Sequence, residues 1–125
     1  MKKSILVVED DRAVRGFLKM SLEMQGMEYH ESETIGDALA KCAAQRFNLL
    51  MLDYNLSKDE VGWSIAREIR GNPSQYGSPK IIGVSGTVQV DAAESLGFSK
   101  EDFDAFLQKP FDTKTLRNQI AALQP

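Results

Sequence analysis

At 125 residues, 42% of them hydrophobic and 26% charged, the chain suits one globular domain whose core is large enough to fold without disulfides or a structural metal. The 15 basic residues stand against 18 acidic ones, the net charge is −3, and no basic block exceeds Lys2-Lys3, which argues against direct nucleic-acid binding. A single cysteine, Cys42, excludes an internal disulfide, no apolar run reaches membrane-spanning length and the N-terminus lacks a signal-peptide core, so a cytoplasmic protein without membrane contact is expected.

Apolar runs alternate with helical patterns five times, with no repeat or composition shift, which implies one domain over residues 1–125 built on a parallel sheet. Residues 5–8 form the first strand. Val14, Phe17, Leu18 and Leu22 then recur at helical spacing, with Asp11 placed to cap and Gly26 to end a helix over 12–25. Residues 27–32 alternate apolar and polar side chains, as a half-exposed edge strand does. Ile35, Ala38, Leu39, Cys42 and Ala43 mark a second helix after Thr34, with Cys42 in the core, and 47–53 is the third strand. Val61, Ile65 and Ile69 mark a third helix that stops before the Gly71-Asn72-Pro73 breaker, followed by a turn-rich loop. Beyond it come a strand at 81–84, a short fourth helix at 90–96, a strand at 104–108 and a last helix with Leu116, Ile120 and Leu123 inward, capped by Asp112 or Thr113.

Strands that are apolar throughout are buried on both faces, so the charges that follow them gather at one sheet edge, where open α/β sheets bind ligands. Glu9 and Asp10 follow the first strand, Asp53 the third and Lys109 the fifth. Three carboxylates brought together repel unless protonated or neutralised by a cation, and hard oxygen donors favour Mg²⁺. With Ser85 and Lys109 on the same edge to bind phosphoryl oxygens, Asp53 is read as the nucleophile of a phosphoryl transfer.

Ile5-Leu6-Val7-Val8-Glu9-Asp10-Asp11, residues 49–53, residues 81–85 with Gly86, and Lys109-Pro110-Phe111 together resemble the receiver domain of two-component response regulators, over nearly the whole chain. The resemblance implies a doubly wound α/β fold, flavodoxin-like in three α/β/α layers, with a five-stranded parallel sheet in the order 2-1-3-4-5. It implies that Asp53 accepts a phosphoryl group from a sensor histidine kinase or histidine phosphotransfer protein. It further implies that Asp10 and Asp53 ligate Mg²⁺ with Glu9 acting through water and the Asn55 carbonyl completing the set. Ser85 would turn toward the aspartyl phosphate and Phe106 would serve as the aromatic switch. Such a protein is a switch and no enzyme beyond its own phosphorylation and dephosphorylation. It signals to a downstream target or output domain through the face of the fourth helix, fifth strand and last helix.

Taken singly, each carboxylate reads as a solvated loop residue, Ser85 as a turn cap and Phe106 as plain core, and only their joint placement reverses this. His30 is read as an exposed edge-strand residue without a role, and Trp63 as a partly buried packing residue whose fluorescence can report on the Asp53 loop. Two departures from the family pattern stand out. Ser57 replaces the usual proline after the acceptor, with Asp59-Glu60-Val61-Gly62 one residue later than usual, and residues 98–103 are interposed before the fifth strand. Within that insertion Phe98 and Phe103 are apolar, one to pack on the domain and the other to anchor a partner.

Competing readings are weaker. Glu9-Asp10-Asp11 would repel the phosphate of a flavin carrier, and Asn55 stands where an aspartyl phosphatase needs a second Asp. The alternative that stays open is a non-phosphorylated pseudo-receiver, or a receiver belonging to a larger regulator or hybrid kinase; an end at Gln124-Pro125 suits a stand-alone or an excised domain alike.

Overall fold

A computed structural model describes residues 2–56, 60–86 and 99–123. Five parallel strands, β1 (Ser4–Val8), β2 (Glu28–Ser32), β3 (Leu49–Asp53), β4 (Lys80–Ser85) and β5 (Ala105–Gln108), form one sheet in the order β2-β1-β3-β4-β5. The doubly wound, flavodoxin-like arrangement expected from the sequence is therefore present, and β2 is the edge its alternating pattern called for. Every residue of β1 and β3 is buried, whereas β2 buries only Ser32.

Neighbouring side chains on a strand point to opposite faces, and the core divides accordingly. Leu6, Val8, Leu50, Leu52 and Ile81 pack on one face against α2 (Ile35–Ala44) and α3 (Ser64–Gly71) through Ala38, Cys42, Ile65, Ala66 and Ile69. Ile5, Val7, Leu49, Met51, Ile82 and Val84 pack on the other against α1 (Arg12–Met24) and α5 (Thr113–Leu123) through Leu18, Leu22, Leu116 and Ile120. Burying one such aliphatic side chain is worth roughly 1.5–3 kcal/mol, so the two clusters on either face of one sheet carry most of the stability.

Caps fall where the sequence placed them. Asp11 Oδ1 accepts from the main-chain N–H groups of Ala13 and Val14, Thr34 Oγ1 from Asp37, and Asp112 Oδ1 from Thr115, each satisfying donors that a helix start leaves free. Gly26, with φ of 81°, lies just beyond the end of α1, in the left-handed conformation that glycine adopts without strain.

Three expectations need correction. The loop after Gly71 contains a helical turn, α4 (Pro73–Tyr76), because Pro73 is preset for a first helical position and starts a turn as readily as it stops one. Trp63 is fully buried, not partly: its indole lies among Tyr54, Phe103 and Phe106, and its Nε1 donates to the Leu52 carbonyl at 3.1 Å. Phe103 is core too, with its ring 5.1 Å from Trp63 and 4.9 Å from Phe106, so the partner-anchoring role leaves it. Phe98 and the helix expected over 90–96 lie outside the described residues, as do Ser57 and Asp59. The rest of the insertion is a 3₁₀ turn, Lys100–Asp102, fastened by Arg70, which donates to the carbonyls of Asp102 and Pro79 and to the Asp104 carboxylate.

Candidate functional site

In the sheet order, β2 lies on one side of β1 and β3 on the other. That reversal opens a crevice at the carboxyl ends of β1 and β3, the place where doubly wound sheets bind ligands. Glu9 and Asp10 follow β1, and Asp53 is the last residue of β3. One carboxylate oxygen from each lies within 4.8 Å of the other two. Ser85 ends β4, next to β3 in the sheet, and is fully buried.

Lys109 follows β5, and its main-chain N–H donates to the Ser85 carbonyl at 2.8 Å, which extends the strand register just far enough to aim the side chain across the edge. Its Nζ lies 2.6 Å from Glu9 Oε1 and 3.1 Å from Asp53 Oδ1. Glu9 and Asp53 are only 2% and 6% exposed, so the ammonium group neutralises charge that water barely reaches. Burial, and then the charge of Glu9, push the Asp53 carboxyl up to about 7 against the pull of Lys109. Burial alone would lower Lys109, but its hydrogen bonds and charge interactions with Glu9 and Asp53 outweigh it and hold the ammonium above its ordinary value.

Three carboxylates against one ammonium leave the cluster net negative, and hard oxygen donors so arranged suit a small divalent cation. Glu9, Asp10, Asp53, Ser85 and Lys109, drawn from four strand ends, are thus brought to one edge.

The family model of the response regulator receiver domain matches residues 5–121. The chain belongs to that family. It is 29% identical over 117 residues to the KDP operon transcriptional regulatory protein KdpE of Escherichia coli, covering 94% of this chain and 49% of that protein. It is 28% identical over 122 residues to the CAI-1 autoinducer sensor kinase/phosphatase CqsS of Vibrio cholerae, covering 97% of this chain and 17% of that one. The receiver therefore spans about half of the first relative and a small part of the second. Among solved structures, a CheY-like receiver domain protein from Methanospirillum hungatei superposes with a TM-score of 0.81 at 30% identity, covering 98% of this chain and 93% of that one.

In this receiver the loop beyond Asp53 turns back on itself. Asn55 bridges to Val61, Leu56 N–H donates to the Glu60 carbonyl and Gly62 N–H to the Tyr54 carbonyl. Gly62 is required there, since a Cβ would stand 2.1 Å from the Asp53 carbonyl oxygen. The Asn55 carbonyl is on this loop beside the acidic cluster in sequence. Phe106 is half-buried in β5, its ring 5.3 Å from Trp63, which ties it to the aromatic group beneath the site.

Sequence reasoning missed two residues that hold the site's surroundings. Arg15 donates to the main-chain carbonyls of Glu9 and Asp10, and Glu60 accepts from the first N–H of α2, at Ile35, tying the Asp53 loop to that helix. Neither had a local signal: Arg15 reads as the polar face of α1, and Glu60 meets a helix 25 residues away. His30, given no role, sits between Gln45 and Glu28 with its ring on Phe47. No helix among the described residues is long and apolar enough to cross a membrane.

Proposed function

We propose that the chain, as one receiver unit over 1–125, is a Mg²⁺-dependent phosphoacceptor switch in which Asp53 takes a phosphoryl group from the phosphohistidine of a sensor histidine kinase or histidine phosphotransfer protein. The observation that supports this most is the Lys109 ammonium lying between Glu9 and Asp53 beside a third carboxylate, Asp10. Glu9, through water, Asp10, Asp53 and the Asn55 carbonyl would hold the cation, which when bound supplies positive charge to the carboxylates and to the phosphoryl oxygens.

An ionised Asp53 oxygen forms the new bond to phosphorus as the bond to the donor imidazole nitrogen breaks, and the electron pair leaves on that nitrogen. Lys109, already at Asp53, meets the charge on the transferred oxygens, and the Ser85 hydroxyl binds one of them once the aspartyl phosphate exists. Phe106 follows Ser85 inward and alters the surface of β5 and α5, through which a downstream target or output domain is engaged. The protein turns over only its own phosphoryl group, works in the cytoplasm and contacts neither membrane nor nucleic acid directly. A second reading, a receiver module within a larger regulator or hybrid kinase, draws support from the partial coverage of KdpE and CqsS. The intact carboxylates and Lys109 weigh against a pseudo-receiver.

Intact-mass spectrometry after incubation with acetyl phosphate tests the assignment. One added phosphoryl group is expected in Mg²⁺, none in excess EDTA and none in Asp53→Asn; undiminished labelling of that variant overturns it.

A further inference from the structure

Arg15 lies near the start of α1, yet its side chain is only 12% exposed because it folds back across the β1–α1 turn. Its Nη1 donates to the Glu9 and Asp10 carbonyls, each at 3.0 Å. These carbonyls belong to the two peptide groups that flank the Asp10 Cα. Holding both fixes the backbone angles at Asp10 and the direction in which its carboxylate leaves the chain.

The guanidinium is itself held from the other side. Nε donates to Glu31 Oε2 at 3.0 Å, on β2, and Nη1 lies 2.8 Å from Glu33 Oε1 just beyond that strand. Glu9 N–H donates to the Ser32 carbonyl at 3.0 Å, between those two glutamates, so the end of β2 grips the acidic pair both directly and through Arg15. Ser32 is in turn fastened by its hydroxyl to Asp37 of α2 at 2.7 Å, and Lys41 bonds to both Asp37 and the Glu31 carbonyl. Every link of this support lies on the side of β1 away from Asp53 and Lys109.

We infer that Arg15 is a positioning residue that sets cation affinity: by clamping both carbonyls of the acidic pair to β2 it preorganises Glu9 and Asp10 for a divalent cation. The inference rests on the Mg²⁺ site proposed above. Nη1 gives its two N–H groups to the two carbonyls while Nε, rigidly coplanar with it, bonds Glu31, so one guanidinium ties the β1–α1 turn to β2. Lysine keeps the charge and has donors enough, but its one nitrogen stops a bond short of the Nη1 position and leaves none at the Nε position, so it cannot reach the two carbonyls while also bonding Glu31. Groups that orient metal ligands without touching the metal alter affinity by roughly 10–100-fold when removed.

The test is isothermal titration calorimetry with Mg²⁺ alone on the unphosphorylated wild type, Arg15→Ala and Arg15→Lys, with acetyl phosphate labelling followed across a Mg²⁺ series. The Kd for Mg²⁺ is expected to rise by about tenfold or more in Arg15→Ala. A smaller but clear rise is expected in Arg15→Lys, and labelling of both should return toward the wild-type rate when Mg²⁺ saturates. A merely structural arginine would lower the melting temperature and leave Mg²⁺ affinity of the folded protein unchanged. Wild-type affinity in folded Arg15→Lys overturns the clamp, and so does wild-type affinity in Arg15→Ala; if the alanine variant does not fold, the lysine variant decides. Absence of Mg²⁺ binding in the wild type would instead remove the site on which the inference stands.

Discussion

Lys109 and Glu9, 100 residues apart in the chain, meet through a 2.6 Å contact between ammonium and carboxylate, with the carboxylate side chain only 3% exposed. Deleting one partner of a buried pair leaves an uncompensated charge in low dielectric. Lys109→Ala should therefore lower stability by about 2–3 kcal/mol, less than a fully enclosed pair would lose because the ammonium keeps some contact with water. Added Mg²⁺ should recover part of that loss by replacing the missing charge. Urea denaturation with and without Mg²⁺ measures both; a variant as stable as the wild type would show that the pair contributes nothing to stability.

Asp53 makes stability depend on pH in a defined direction. Its carboxyl titrates at about 7 in the fold, against an ordinary 3.8. Between those values the native protein holds a proton that the unfolded chain has released, so this group's contribution to stability declines as pH rises from about 4 to about 7 and stays lost above that. Asp53→Asn should accordingly match the wild type near pH 4 and exceed it above pH 7, by roughly 4 kcal/mol at most without divalent cations. Denaturation midpoints across the range give the curve. A difference independent of pH would place the titration elsewhere.

Gly62→Ala is a test of the loop that shapes the site. The added methyl would overlap the Asp53 carbonyl oxygen and press on Leu56, and backbone cannot yield as a flexible side chain does. A loss of about 1–3 kcal/mol is expected, with slower phosphorylation of Asp53 at saturating Mg²⁺. Thermal melts and labelling kinetics should move together; a stable, fully active variant would mean that the loop relocates freely.

Trp63→Phe keeps an aromatic ring in place but removes the donor to the Leu52 carbonyl, and one such hydrogen bond is worth about 0.5–1.5 kcal/mol. Phe103→Ala should cost more, about 3–5 kcal/mol, because the ring fills space between Trp63 and Phe106. Calorimetric melting separates the two. If Phe103→Ala were neutral for stability and yet blocked signalling, the ring would belong to a partner surface after all.

The sheet was legible because β1 and β3 are buried on both faces and read as unbroken apolar runs, while β2 announces itself as an edge by alternation. The gathering of Glu9, Asp10, Asp53, Ser85 and Lys109 followed from each lying at a strand end. What stayed hidden depends on contacts that no local pattern encodes. Arg15 turns inward only because Glu31 and Glu33 wait at the end of β2, and Trp63 is fully enclosed only because Phe103 and Phe106 arrive from the far end of the chain. Pro73 misled for a different reason, since the residue that forbids a helix interior also favours a helix start.

The sheet order β2-β1-β3 places residues 4–53 side by side before β4 and β5 are needed. A growing chain can thus pair its first three strands and bring Glu9, Asp10 and Asp53 together while Lys109 has yet to be made. Until the fifth strand docks, those carboxylates lack the Lys109 ammonium that lies 2.6 Å from Glu9 and 3.1 Å from Asp53 in the finished fold. The strand made last therefore carries the ammonium that the finished fold sets among carboxylates supplied by the first half of the chain.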